Sequence, residues 1–352
     1  MRTLALSLSG ALVATTALAA PQGPVETDAA TFRVAEVAGG LEHPWAVAFL
    51  PGGAMLVTER PGRLRLIEDG RLRDEPVAGV PEVHARRQGG LLDVAVDPEF
   101  ERNWLIYLSY AHEQEDGETT TRVMRARFSP DGLSDQRVIF EAKPLVDSSM
   151  HFGSRLAFGN DGSLYVTMGE RYSQREKAQD LGTHLGKVLR INKDGSVPKD
   201  NPFVGREGAL PEIFTYGHRN PQGLVVDPRD GRVWENEHGA KGGDEVNILK
   251  AGANYGWPEV AYGVNYDGST IGTGRTEAPG VEPPLFYWDP SIAPAGMAFY
   301  LGDRFPGWRG DMLVGALKFQ LVSRLDLDEQ GHVVKEERFL EGELGRIRDV
   351  AA

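Results

Sequence analysis

RLAFGNDGSLYVTMGE, residues 155–170, runs an apolar strand into an Asn-Asp-Gly turn and returns along a second apolar strand that ends in polar residues. The same pattern stands at WAVAFLPGGAMLVTE, residues 45–59, recurs over 92–110, 223–238 and 296–317, and begins again at Arg346. Paired strands recurring at roughly 50 to 70 residues are the signature of a β-propeller, in which each repeat is one blade that buries its faces only against its neighbours. Six starts predict an all-β, six-bladed propeller of four-stranded antiparallel blades. The last blade is expected to be incomplete, because the repeat that opens at Arg346 stops at Ala352.

Composition agrees with one large repeat array. The 352 residues are 41% apolar, and 43 Gly and 22 Pro, in dipeptides such as Pro51-Gly52, Asp161-Gly162 and Asp194-Gly195, mark tight turns rather than long helices. The N-terminus carries Arg2, an apolar run over 4–18 and an Ala17-Leu18-Ala19 site, which predicts a signal peptide at 1–20 and a periplasmic or secreted protein. Residues 21–31 read as a loose lead-in and 32–352 as a single propeller domain. No second long apolar run predicts a membrane span. The chain has no Cys, so the fold is held without disulfides and c-type haem attachment is excluded. A net charge of -13 without a long basic run argues against a nucleic-acid partner; a small polyanion would need a local basic cluster.

Propeller strands begin at the central channel, so polar residues at the repeat starts can converge on one pocket. His151, in SMHFG ahead of the third repeat, is a candidate general base, although a lone histidine is more often a structural or solvent one. Gln88 occupies the matching place in its own repeat. In GHRNPQG, Arg219 is suited to a carboxylate or carbonyl oxygen, and Asn220 and Gln222 to a planar polar ligand; a hydrogen-bonded turn explains the same residues. Lys318, Arg346 and Arg348 form a basic set, and alternation in GRIRD puts both arginines on one strand face, where solvent is the simpler partner. The Gly-rich stretch 237–247, followed by NYGWP, exposes carbonyls and carboxylates of the kind Ca²⁺ takes, without EF-hand spacing.

Taken in order, RQGGLLDVAVDPEF, HFGSRLAF, LGTHLGKVLRIN, YGHRNPQGL, GGDEVN, GANYGWP, PSIAPAG and GRIRDV resemble the soluble aldose sugar and glucose dehydrogenases that use pyrroloquinoline quinone (PQQ), from about residue 41 to 350. The resemblance implies a six-bladed propeller with PQQ and Ca²⁺ at the channel mouth. It implies His151 as the catalytic base and Gln88, Arg219, Asn220 and Gln222 around quinone and sugar, with Trp288 as an aromatic residue near the cofactor. Lys318, Arg346 and Arg348 correspond to the cations that hold the PQQ carboxylates. Gly239 and Ala240 match positions whose carbonyls bind the catalytic Ca²⁺, with Ala240 where relatives often have Pro. Glu245 and Tyr255, with Asp244 beside them, match ligands of a second Ca²⁺.

The implied reaction is oxidation of an aldose at C1 to a lactone, with an external cytochrome or quinone as electron acceptor. A Ca²⁺-dependent propeller lactonase and a non-catalytic binding propeller are the alternatives; neither needs the cationic set. Relatives continue beyond the last motif, so a shortened final blade is expected, with residues 32–37 supplying one outer strand and Arg346 and Arg348 on a frayed one.

Overall fold

The computed structural model describes Pro21 and residues 23–352; the signal segment expected at 1–20 lies outside the described residues. A short hairpin, β1 (Val25–Glu26) and β2 (Thr31–Phe32), precedes five four-stranded antiparallel sheets. Blade 1 is β3 (Pro44–Phe49), β4 (Met55–Glu59), β5 (Arg63–Glu68) and β6 (Arg71–Leu72); blade 2 is β7 (Leu91–Val96), β8 (Leu105–Glu113), β9 (Thr119–Ser129) and β10 (Gly132–Glu141). Blade 3 comprises β11 (Leu156–Phe158), β12 (Leu164–Met168), β13 (Lys187–Ile191) and β14 (Ile213–Tyr216). Blade 4 comprises β15 (Pro221–Val226), β16 (Val233–Glu237), β17 (Asp244–Leu249) and β18 (Phe286–Trp288). Blade 5 is β19 (Pro294–Phe299), β20 (Met312–Ala316), β21 (Val322–Leu327) and β22 (Val333–Phe339). Innermost strands of successive blades lie side by side, β3 by β7, β7 by β11, β11 by β15 and β15 by β19.

Alternation explains why blades stack. In β12 every residue is buried, yet Leu164 and Val166 feed the core between blades 2 and 3 while Tyr165 feeds the core between blades 3 and 4. One strand with a side-chain period of two thus serves two neighbours. Further cores lie between blades 1 and 2, around Trp45, Leu56 and Ile106, and between blades 4 and 5, around Trp234, Met297 and Leu325.

The expected sixth blade is absent: the five described blades enclose four inter-blade cores, and residues 346–350 form no strand. This segment is a strap in the seam between blades 5 and 1. Gly296 N–H donates to Arg348 O, Ile347 N–H to Ala316 O, and Val47 N–H to Asp349 Oδ2. It fits because Gly296 has no side chain; a Cβ there would lie 1.7 Å from Asp349 Oδ1. The outer strand expected from residues 32–37 is not formed either. Phe32 does not begin an outer strand of a sixth blade but packs at 5.5 to 5.9 Å against Phe305, Trp308 and Phe339 of blade 5.

Candidate active site

The inner hairpins deliver polar residues to one end of the ring in two sets. One set precedes the first strand of a blade, and the other stands at or just past the end of the second strand, where Glu59-Arg60 closes β4, Glu237-His238 closes β16 and Glu170-Arg171 lies just beyond β12. A cavity of about 800 Å³ opens between them, its polar lining including Arg60, Gln88, Asn220, Gln222, His238, Arg346 and Arg348.

His151 is buried beside this cavity in the left-handed region, at φ +50°. Its backbone enters because Gly169 has no Cβ; one there would meet His151 O at 2.1 Å. Gln88 Oε1 accepts the His151 N–H at 2.7 Å, and His151 Nδ1 lies 3.0 Å from Glu170 Oε1. Donation from Nδ1–H to that carboxylate leaves Nε2 as an acceptor. Burial holds the imidazole below its ordinary pKa, Glu170 opposes this, and the Arg219 charge adds to it. The result is a neutral base. Arg171 fixes the turn in front of His151: it donates to Met150 O, Thr119 O and Ser148 O, and its guanidinium sits 3.9 Å from the Phe152 ring centre.

Arg219 is anchored through its backbone N–H to Glu237 Oε2, and Nη1 donates to Gly239 O at 2.5 Å and His238 O at 3.2 Å. Its Nε is buried without a partner. Asn220 Oδ1 accepts from Gly153 N–H and Gln222 Nε2, while Gln222 Oε1 accepts from Arg348 Nη1 at 3.3 Å. The predicted residues Gln88, His151, Arg219, Asn220, Gln222 and Arg348 therefore meet in one hydrogen-bonded neighbourhood. His238, which the motifs do not single out, is neutral there, pulled down to about 3 by burial and by the charges of Arg219 and Arg348, against the hydrogen bond to Pro294 O.

Arg60 was not anticipated either. Arg348 is pulled down to about 9 by burial and by Arg346, Arg155 and Arg60, and among the described residues no carboxylate forms an ion pair with Arg60, Arg346 or Arg348. Three mutually repelling guanidiniums on one wall fit a multiply charged anion. Two expected residues lie elsewhere. Lys318 is exposed, with its ammonium 4.9 Å from the Phe319 ring, and only the preceding Leu317 lines the cavity. Trp288 is packed into the core between blades 4 and 5 and donates Nε1–H to Glu336 at 2.8 Å, so it is not a cavity residue.

Beyond Arg219 a chamber of about 20 Å³ is lined by Glu237, Gly239, Ala240, Glu245 and Tyr255. Glu237 faces Glu245 and Glu235 faces Asn247 across β16 and β17. Like charges directly opposed in a sheet are destabilising. Burial and Glu237 push the Glu245 carboxyl well above the ordinary carboxylate range, while Glu235 Oε2 and Asn247 Oδ1 have no partner. His218 offsets part of this charge, 2.9 Å from Glu237 Oε1, raised to about 9 by its carboxylate neighbours against burial. Oxygen donors, excess negative charge and room for one ion fit a hard divalent cation. Asp244 is turned from the chamber, since Gly239 N–H and Ala293 N–H occupy its two oxygens at 2.8 and 2.7 Å. The Tyr255 hydroxyl is likewise committed, to Ile248 O and Lys250 N–H, which leaves its backbone carbonyl as the available donor.

A groove of about 420 Å³ leads outward from Glu170 and Arg219 between Tyr172 and Tyr266, which are 45% and 62% exposed. Tyr172 stands edge-on to His151 at 5.4 Å. Arg175 reaches Asn265 across the groove at 3.3 Å.

Known proteins share this fold. Residues 41–352 match the family described as Glucose / Sorbosone dehydrogenase. The aldose sugar dehydrogenase YliI of Escherichia coli K12 is 43% identical over 325 residues, covering 91% of this chain and 87% of its own. A glucose dehydrogenase crystal structure superposes with a TM-score of 0.86 at 46% identity, covering 90% of this chain and 92% of that one. The PQQ-bound aldose sugar dehydrogenase of Streptomyces coelicolor gives 0.76 at 29% identity, with 95% and 90% covered. The chain belongs to the glucose/sorbosone dehydrogenase family of soluble aldose and glucose dehydrogenases, and it is an oxidoreductase.

Proposed function

We propose that the protein is a periplasmic or secreted quinoprotein that oxidises the C1 hydroxyl of an aldose to a lactone, using PQQ and Ca²⁺. The observation that carries this reading is a cavity walled by three guanidiniums with which no carboxylate among the described residues forms an ion pair, with a buried histidine held below its ordinary pKa directly behind the lining residues Gln88 and Phe152. Bound PQQ, a tricarboxylate, supplies two-electron redox chemistry that no side chain here can perform. Arg60, Arg346 and Arg348 would hold its carboxylates, and Asn220 and Gln222 its remaining polar edge. His151 Nε2 takes the proton of the C1 hydroxyl, and Glu170 stabilises the imidazolium that forms. Arg219, with a free Nε and a second face on Gly239 O, stabilises negative charge developing beside it. The Gly239 and Ala240 carbonyls with Glu237 and Glu245 would hold Ca²⁺, and Tyr172 and Tyr266 offer aromatic walls to the sugar ring. Electrons then leave to an external cytochrome or quinone. The test adds PQQ to purified apoprotein with Ca²⁺ or Mg²⁺ and follows sugar-dependent reduction of an artificial dye. Reduction with Ca²⁺ is expected; a protein that binds no PQQ and reduces no dye overturns the reading.

A further inference from the structure

Arg155, immediately ahead of β11 in blade 3, reaches three other blades and the strap from one buried side chain. Nε donates to Gln222 O of blade 4 at 3.0 Å, and Nη1 lies 3.2 Å from Asp93 Oδ1 of blade 2 and 3.0 Å from Asp349 Oδ1 of the strap. Its guanidinium also covers Trp45 of blade 1, 4.3 Å from the ring centre. The two carboxylates differ in what they secure. Asp93 accepts Leu156 N–H at 2.6 Å and so ties blade 2 to blade 3. Asp349 accepts Val47 N–H at 2.9 Å and so ties the strap to blade 1.

The strap needs such an anchor. Arg346 and Arg348 line one cavity with Arg60, and the repulsion among these three cations works against the seating of residues 346–350 in the seam. Two backbone hydrogen bonds to blade 5 oppose it, from Gly296 N–H to Arg348 O and from Ile347 N–H to Ala316 O. Asp349 is the only anion within the strap and the one that meets a buried cation.

We infer that Arg155 and Asp349 form a latch: they are positioning residues that hold the strap in the seam, set the placement of Arg346 and Arg348, and thereby couple closure of the ring to occupancy of the cavity by a polyanion. The identity of that polyanion as PQQ rests on the proposed function; the latch itself rests on the ligand-free geometry. A polyanion that neutralises the three guanidiniums removes the force acting against the latch, so each stabilises the other.

The experiment uses purified apoprotein and the variants Asp349→Asn, Asp93→Asn and Gly296→Ala. Gly296→Ala displaces the strap sterically without altering a charge, and it serves if Asp349→Asn does not fold. Hydrogen exchange by mass spectrometry over 345–350 is expected to accelerate by about tenfold or more in Asp349→Asn and Gly296→Ala, with β4 and β20 unchanged. Asp93→Asn should lower the melting temperature yet leave strap exchange as in wild type. Titration with PQQ should then show affinity reduced about tenfold or more in Asp349→Asn and Gly296→Ala and close to wild type in Asp93→Asn. Wild-type strap protection in both Asp349→Asn and Gly296→Ala, or equal loss of PQQ affinity in Asp93→Asn and Asp349→Asn, overturns the latch. Failure of wild type itself to bind PQQ overturns the cofactor assignment instead, and the exchange contrast still decides the latch.

Discussion

Replacing Glu170 by Gln tests the assignment of His151 with a single charge. The amide keeps an oxygen for the Nδ1–H but removes the carboxylate that lies 3.0 Å from it, with both side chains buried. A hydrogen bond to a charged group contributes about 1.5 to 3 kcal/mol and a neutral one about 1, so about 1 to 2 kcal/mol is lost, or about one pH unit. The sign follows from the surroundings. Burial already holds His151 below its ordinary 6.5, and Glu170 is the strongest influence raising it. Without that influence the imidazole loses its proton at still lower pH. The acid limb of kcat/KM, expected below pH 6.5 in wild type, should therefore move about one unit further down. Turnover on the plateau should fall by up to about tenfold, because a weaker base faces the same hydroxyl proton. The assay is a pH–rate profile of PQQ-loaded protein, wild type against variant. An acid limb that stays in place or moves up shows that another group titrates and removes His151 from the proton-transfer step.

Three further outcomes follow from the placement of side chains. Arg60→Ala should weaken PQQ binding about tenfold to a hundredfold, whereas Lys318→Ala should leave it unchanged, since only Arg60 lines the cavity; fluorescence titration of apoprotein separates them. EGTA should lower the melting temperature, with recovery on Ca²⁺ but not Mg²⁺, because the opposed Glu237 and Glu245 need a large oxygen-ligated cation; equal recovery with Mg²⁺ counts against that chamber as the site. Tyr266→Ala should raise the sugar KM and spare PQQ affinity, the reverse split reassigning this exposed wall to the cofactor.

Five of the six repeat starts became inner hairpins because each carries its own turn and return strand. The sixth failed on that point. GRIRDV alternates as a strand would, but alternation sets which face a residue takes and does not supply a partner, and the segment found its hydrogen bonds at the edge of blade 5 and on Val47. The same distinction explains Trp288 and Lys318. Trp288 emerges from β18 into the core between blades 4 and 5, and Lys318, next to the cavity residue Leu317 but two residues beyond β20, emerges into solvent; the direction in which a side chain leaves the backbone decides whether it meets the pocket. Arg60 was hidden for the opposite reason: an arginine after a strand looks like surface until the ring closes. A signal existed in Glu59-Arg60 and Glu237-His238, which close the second strands of blades 1 and 4 alike and put Arg60 and His238 into the cavity lining.

That repeat also made a pair of histidines whose comparison shows what position alone cannot decide. His151 and His218 each bind, through Nδ1, a glutamate 19 residues further along the chain, at 3.0 and 2.9 Å. By spacing they are the same device, placed once in blade 3 and once in blade 4. Their neighbours separate them. His218 meets a second carboxylate, Glu235 at 3.5 Å, and Thr215 on Nε2, so it is held as an imidazolium with both nitrogens engaged. His151 has one carboxylate, two nearby arginines that disfavour its charge, and no protein partner on Nε2 among the described residues. One copy therefore offsets buried acid beside the carboxylate-lined chamber, and the other keeps an unpaired Nε2 beside a cavity walled by guanidiniums. The difference lies in Arg171, Arg219 and Glu235, which come from other positions of the repeats, and so the chemical identity of each histidine is a property of the assembled ring rather than of its motif.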